Sequence, residues 1–344
     1  LAAGGVGGLA HDVGEQVEDA FVDDVAAATG TTHGDAESAV LAGIESMRSL
    51  GLLDRREPFW VPAPVTGSLL ERDDLPTSKP HAVLDRFIVF RSSDQALLDD
   101  IDSLLRDSTT ALPPTDSFDI SPGPTGRVCL QAAEEWDFPN RDNLFAQLPG
   151  VLNDFAARSH TLAVLHAGAV RTPTGRVLVI SGDSASGKST LVGALVQQGC
   201  AYFGDEMIGL RSNPNETLPY PKPLELDEES CRVLGVQAKS PPHLRTHELR
   251  SDPTSLTEPA GAVSEIVFPS FQPGHPTEVT RLDTDAALEA LLGQTVNLAR
   301  AGEPGLRTVC ELAETVPVSR IVHGDSIALA ELLLDNDGSA PTQV

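Results

Sequence analysis

At 344 residues the chain is long enough for two or three domains, and its 40% hydrophobic content fits a globular protein with a sizeable core. No apolar run approaches the ~20 residues that span a bilayer. A formal net charge of −26 argues against broad binding to nucleic acid or an anionic membrane, so the expected partners are neutral, basic or bound through a local site.

The four cysteines, Cys129, Cys200, Cys231 and Cys310, lie far apart with no C-x-x-C pair. They signal neither a zinc site nor a disulfide framework, and they fit a reducing cytoplasm. The opening stretch has no basic start, and glycines, His11 and Asp12 break its apolar run, so no signal peptide is expected there.

In chain order, residues 1–56 read as a small helical module. Val17, Phe21, Val25 and Ala28 recur near helical spacing, as do Val40, Ile44, Met47 and Leu50, with Gly30 and Gly51 as stops. Residues 57–82 are proline-rich and polar, and read as a linker. Residues 83–158 alternate as an α/β flanking segment. RFIVFRS and GRVCLQA are strand-like, a helix is expected from Ser93 or Asp94, and a second helix is expected to be interrupted near Pro149.

Residues 159–334 carry the chemistry. Thr161–Val170 and Gly175–Ser181 are expected to form a hairpin through the RTPT turn. A glycine-bearing loop, a helix ending at Gly199 and a strand over Cys200–Glu206 follow. SNPNETLPYPKPLEL is expected to be partly strand, and the long polar loop around Arg245, His247 and Arg250 is a candidate lid. SEIVFPSF reads as a strand, with helices over DTDAALEALLGQTVNLAR and GLRTVCELAETV; residues 335–344 read as a flexible tail.

Gly182, Gly187, Lys188 and Ser189 satisfy the G-x-x-x-x-G-K-[ST] pattern between a strand and a helix. In such a loop the backbone N–H groups of Gly182, Asp183, Ser184, Ala185, Ser186, Gly187, Lys188, Ser189 and Thr190 can turn towards phosphate oxygens. The helix N-terminus favours the same anion. Lys188 is expected to reach the β- and γ-phosphates and Ser189 to hold Mg²⁺, which makes ATP with Mg²⁺ the expected ligand.

Asp205 and Glu206 end the next strand, and either can hold Mg²⁺ or accept a proton from an attacking hydroxyl. A solvated acidic strand end is the bland alternative. His166, between apolar residues on a neighbouring strand, is more often a core or supporting group than a catalyst. Arg245 or Arg250 could close over a transferring phosphate or simply face solvent, and Lys222 could contact substrate or project into water.

The order of LHAGAV, VLVISGDSASGKSTL and YFGDE resembles the C-terminal catalytic domain of HPr kinase/phosphorylase, whose P-loop fold is shared by phosphoenolpyruvate carboxykinases. Lys188 and Asp205 stand only 17 positions apart, which suits that arrangement better than motor or switch NTPases. LHAGAV, SGKSTL, GDE and PYPKPL further resemble the HPr-kinase-like proteins of bacterial peptide-modification clusters, such as lasso peptide kinases. The likeness covers residues 83–334 and is sharpest over 161–226.

The resemblance implies an α/β P-loop kinase in which Gly187, Lys188 and Ser189 hold phosphate and Mg²⁺. It makes Asp205 the base for an acceptor hydroxyl, with Glu206 beside it, and His166 an active-site neighbour. The implied acceptor is a serine of a peptide or small protein. The glycine-rich C-terminal segment by which HPr kinases engage HPr is not found, which argues against HPr as acceptor and against the reverse phosphorylase reaction.

The first module resembles PqqD-like, winged-helix-like leader-peptide binders through a helix, a turn at Gly34 and Asp35, and a second helix ending SLGLL. It would then recruit a precursor peptide. A nucleotide-gated scaffold without transfer and a small-molecule kinase are the alternative functions.

Overall fold

The computed structural model describes residues 75–123, 128–132, 135–211, 216–238, 243–244, 249 and 261–335, together with 26, 30–36, 38, 40 and 41. Residues 1–63 form one compact unit and 64–344 another. In the first unit, His33–Ala36 are helical. Thr32 caps this turn, its Oγ1 accepting from the Asp35 N–H at 3.2 Å. Gly34 and Asp35 therefore lie inside a helical first turn and not in the inter-helix turn expected for them. Ala26, Ser38, Val40 and Leu41 are helical as well, and the remainder of the two expected helices lies outside the described residues.

The second unit is a mixed α/β structure built on two larger sheets. The flanking sheet runs β1 (His81–Val83), β2 (Arg86–Arg91), β3 (Asp116–Pro122), β4 (Val128–Gln131) and β5 (Glu135–Phe138), in that order. The last residues of the expected linker are thus already strand. Helix α1 (Gln95–Leu104) makes the crossover between parallel β2 and β3, capped by Asp94, whose side chain accepts from the Leu97 N–H at 3.0 Å.

Helix α2 (Arg141–Ala156), capped by Asn140, runs unbroken through Pro149. The proline removes one backbone donor, but it is buried with Leu144, Leu148, Val151 and Leu152, and this packing keeps the helix continuous. The expected interruption is absent.

The larger sheet contains eight strands. β6 (Ala163–Arg171) and β7 (Val177–Ser181) form the expected hairpin, closed where the Thr172 N–H bonds the Arg176 carbonyl at 2.8 Å. Helix α3 (Lys188–Gln197) leads to β8 (Ala201–Gly204), β9 (Met207–Arg211) and β10 (Glu216–Leu218). A two-stranded ribbon, β11 (Leu224–Glu225) with β12 (His243–Leu244), flanks the short helix α4 (Glu228–Leu234).

Strands β13 (Val263–Phe271) and β14 (Glu278–Arg281) and helices α5 (Thr284–Gln294) and α6 (Leu298–Thr315) precede β15 (Val318–His323) and α7 (Ser326–Asp335). The order is β10-β9-β6-β7-β13-β15-β14, with β8 also on β6; β7, β13 and β15 are parallel.

The single helix expected over residues 283–300 ends instead at Gln294, and α6 continues from Leu298 across a non-helical Gly302 (φ 57°). Strand β15 and helix α7 have no counterpart among the sequence-based expectations.

Two apolar layers sandwich the large sheet. One face carries α3, α4 and α7 through Leu191, Leu195, Cys231, Leu234, Leu329 and Leu333; the other carries α5 and α6 through Leu291, Val309 and Leu312. A third cluster joins the sheets, because Leu162, Val164 and Tyr220 pack among the flanking residues Phe90, Phe118 and Leu144. Among the described residues no helix is long and apolar enough to cross a membrane.

Candidate functional site

The site is built around the midpoint of β6. On one edge of that strand Ala167 pairs with Ser181, the last residue before the glycine-bearing loop. The opposite edge is shared, with β8 pairing the Ala169–Arg171 half and β9 the Ala163–His166 half. The break between β8 and β9 is the bend at Asp205 and Glu206, and the Ala167 N–H bonds the Glu206 carbonyl at 3.1 Å. One residue of β6 therefore sets both the loop and the acidic bend.

Close backbone approach makes this possible. A Cβ at Gly168 would meet Val192 Cγ2 at 2.7 Å, so only glycine lets α3 lie this close to β6. Gly204 has φ +157°, and a Cβ there would meet the Tyr220 carbonyl oxygen at 2.7 Å. Glu206 itself takes φ 72°, a strained angle for a side-chain-bearing residue that is held by the surrounding ladder.

The loop closes on its own lysine. Gly187 is the left-handed N-cap of α3 (φ 92°), and Lys188 Nζ donates to the carbonyls of Gly182 and Asp183, each at 2.7 Å. Burial lowers the Lys188 pKa below its ordinary value against the pull of Asp183, Glu206 and Asp205. Gln294 Nε2 donates to Asp183 Oδ1 at 3.0 Å, tying the loop to α5. Thr190 Oγ1 lies 2.7 Å from Ser230 Oγ on α4. The Ser186 hydroxyl is buried with no partner among the described residues.

A cleft of about 880 Å³ opens here. Of the residues singled out from sequence, His166, Ser184, Ala185, Gly187, Lys188, Ser189, Thr190, Asp205 and Glu206 line it, whereas Gly182, Asp183 and Ser186 do not. His166 is half-buried on β6 and its pKa is lowered, first by burial and then by the Lys188 charge, which keeps the imidazole neutral near pH 7. Arg245, His247 and Arg250 lie outside the described residues.

Lys222 neither meets solvent nor lies among the residues lining the cleft. Its side chain is fully buried, and Nζ lies 3.0 Å from Asp205 Oδ1 and 3.0 Å from Glu206 Oε2. Burial opposes its charge, but the two carboxylates outweigh that and raise its pKa. The Tyr202 hydroxyl lies 2.8 Å from the same Asp205 Oδ1 and 3.0 Å from the Lys222 carbonyl. Asn153, reaching across from α2, donates its amide to Glu206 Oε2.

Asp205 Oδ1 is thus doubly engaged. Oδ2 is buried and has no partner among the described residues. An orphaned carboxylate oxygen on a residue that borders a cleft fits a ligand-derived donor or a cation, since a buried acceptor left unpaired is costly. No group of three or more His, Cys, Asp or Glu side chains suited to hold a metal occurs among the described residues. A cation here would therefore need oxygens from its ligand as well.

Glu206 carries a pH prediction. Burial raises its pKa, but Lys222 and Asn153 outweigh that and hold it below the ordinary 4.5. A carboxylate with a depressed folded pKa stabilises the fold above its unfolded pKa and loses that contribution as pH falls through the folded value. The gap in melting temperature between wild type and Glu206→Gln should be steady above pH 4.5 and close below it. A gap unchanged down to about pH 3 would rule the ionised Glu206 out as the source.

Sequence reasoning missed Tyr202 and Asn153 and left Lys222 undecided. A lysine is rare here, with four in the whole chain. That rarity, with the place of Lys222 in PYPKPL, was the available signal for it.

No family model and no curated protein matches the chain. Among solved structures the chain is similar to the Hpr(Ser) kinase/phosphatase from Coxiella burnetii. That likeness has a TM-score of 0.29 and 13% identity, and it covers 51% of this chain and 90% of that one.

Proposed function

We propose that the protein is an ATP-dependent kinase that transfers the γ-phosphoryl group to a hydroxyl of a peptide or small protein, with serine as the simplest acceptor. One observation carries this reading. Lys188 and Asp205, both buried, border one cleft from loops set by the same residue of β6, and Asp205 Oδ2 is left without a partner among the described residues.

In this reading the N–H groups of residues 182–190 cradle the phosphates at the N-terminus of α3. Lys188 exchanges the Gly182 and Asp183 carbonyls for the β- and γ-phosphates. Ser189, with Asp205 or Glu206 as further oxygen ligands, would hold Mg²⁺, which would supply charge neutralisation on those phosphates when bound.

Asp205 Oδ2 takes the proton of the acceptor hydroxyl as its oxygen bonds the γ-phosphorus. The bond between that phosphorus and the β–γ bridging oxygen breaks, releasing ADP. His166, neutral beside Lys188 and Glu206, orients the acceptor without adding a competing charge. The −26 charge favours a neutral or basic acceptor.

Incubation with Mg-ATP and candidate precursor peptides, followed by mass spectrometry, tests the reading through a phosphate mass increment on the acceptor. Tight nucleotide binding without an increment on any peptide or small molecule would favour a nucleotide-gated scaffold. A PqqD-like recruiting role for residues 1–56 is part of the proposal. It falls if deleting that module leaves peptide binding unchanged.

A further inference from the structure

Two carboxylates side by side beside a phosphate loop invite two divalent cations. Bridging of phosphate and carboxylate oxygens by a metal pair is a common solution in phosphoryl chemistry. Here the space between the two carboxylates is already filled by a cation of the chain itself. Lys222 Nζ sits 3.0 Å from Asp205 Oδ1 and 3.0 Å from Glu206 Oε2, with its side chain fully buried.

The ammonium is anchored from behind as well as from the front. The Pro223 carbonyl lies 3.4 Å from Nζ. The Lys222 N–H bonds the Tyr220 carbonyl at 2.8 Å, and the Tyr220 N–H bonds Phe203 at 2.7 Å, so the segment is pinned to β8. A lysine held by this many contacts cannot swing into solvent to make room for an ion.

Resting on the kinase reading, we infer that Lys222 is a built-in replacement for a second divalent cation, which makes this a one-metal site. Its charge balances Asp205 and Glu206 permanently, and it uses up Asp205 Oδ1 and Glu206 Oε2. Asp205 Oδ2 remains as the one carboxylate oxygen of that residue without a partner among the described residues. Ser189, with Asp205 or Glu206 as in the kinase reading, would then hold a single Mg²⁺ brought with the nucleotide. In this role Lys222 is a positioning residue, because it acts through Asp205 and Glu206.

Counting Mn²⁺ tests this. Electron paramagnetic resonance titration of the full chain, saturated with a non-hydrolysable ATP analogue, should show one Mn²⁺ bound per wild-type chain. Lys222→Gln, which removes the ammonium and leaves a gap between two carboxylates, should bind two. Lys222→Arg, which keeps the charge, should stay at one.

Two Mn²⁺ on the wild type, or one on a Lys222→Gln variant that still binds the analogue, would overturn the inference while leaving the kinase reading intact. If Lys222→Gln does not fold, the wild-type and Lys222→Arg counts decide, and two on either overturns it. No nucleotide-dependent Mn²⁺ at all would remove the kinase reading, and the inference with it.

Discussion

Lys188→Ala is expected to lower phosphoryl transfer by roughly 10²–10³-fold, the usual cost of losing one preorganised charge-stabilising donor. That loss corresponds to about 3–4 kcal/mol of transition-state stabilisation. The reason lies in where the ammonium sits. It is buried and 2.7 Å from the Gly182 and Asp183 carbonyls, so it is already largely dehydrated within the loop before any phosphate enters.

The same substitution should also weaken nucleotide binding, because the lysine faces the ground-state phosphates as well as the transferring one. Calorimetric titration with ATP and a mass-spectrometric transfer assay read the two effects separately. Wild-type affinity and rate in this variant would exclude Lys188 from the phosphate site.

Asp205→Asn should have the opposite signature. Transfer falls by about 10²–10⁴-fold, the range for a lost general base, while nucleotide affinity is largely spared. Asparagine keeps the size of the side chain, and an acceptor for the Tyr202 hydroxyl and for Lys222 remains at the Oδ1 position. Lys222 also retains Glu206 as a counter-charge.

The buried lysine does lose one of its two carboxylates, and breaking a buried pair costs about 3–5 kcal/mol when a charge is stranded. A melting curve must therefore accompany the assay. Transfer near the wild-type rate in a folded Asp205→Asn protein would remove Asp205 as the base. The contrast between the two variants also separates a kinase from a scaffold, since a scaffold would respond to Lys188→Ala alone.

How far the sequence reached depended on whether a residue's partners were near in the chain. The glycine-bearing loop is a local object. Gly182, Gly187, Lys188 and Ser189 announce it through spacing alone, and the helix that follows begins at Lys188 with Gly187 at its cap. The hairpin of β6 and β7 was legible for the same reason, with a short turn between two apolar runs. Strand β15 was harder to read, because VSRIVH is short and takes its place from β13 and β14, neither of which is adjacent in the chain.

Pro149 shows the limit from the other side, as a breaker that tertiary burial overrode, whereas at Gly302 the left-handed backbone does kink the helix. Local propensity is worth about 1–3 kcal/mol at such positions, which the packing of several leucines exceeds.

By itself the sequence determined the glycine-bearing loop, the alternation of strands and helices that makes the unit α/β, and the acidic pair 17 positions after the loop lysine. These follow from spacing, periodicity and short turns, which are properties of neighbours along the chain. Only the tertiary structure decided that Ala167 sets the loop and the acidic bend on opposite edges of one strand. It also decided that Asn153 reaches Glu206 from helix α2, and that Lys222 is buried between the two carboxylates. Those relations join residues 14 to 53 positions apart. Their physical cause is the low-dielectric interior, where a charge stays only if the fold brings it a partner.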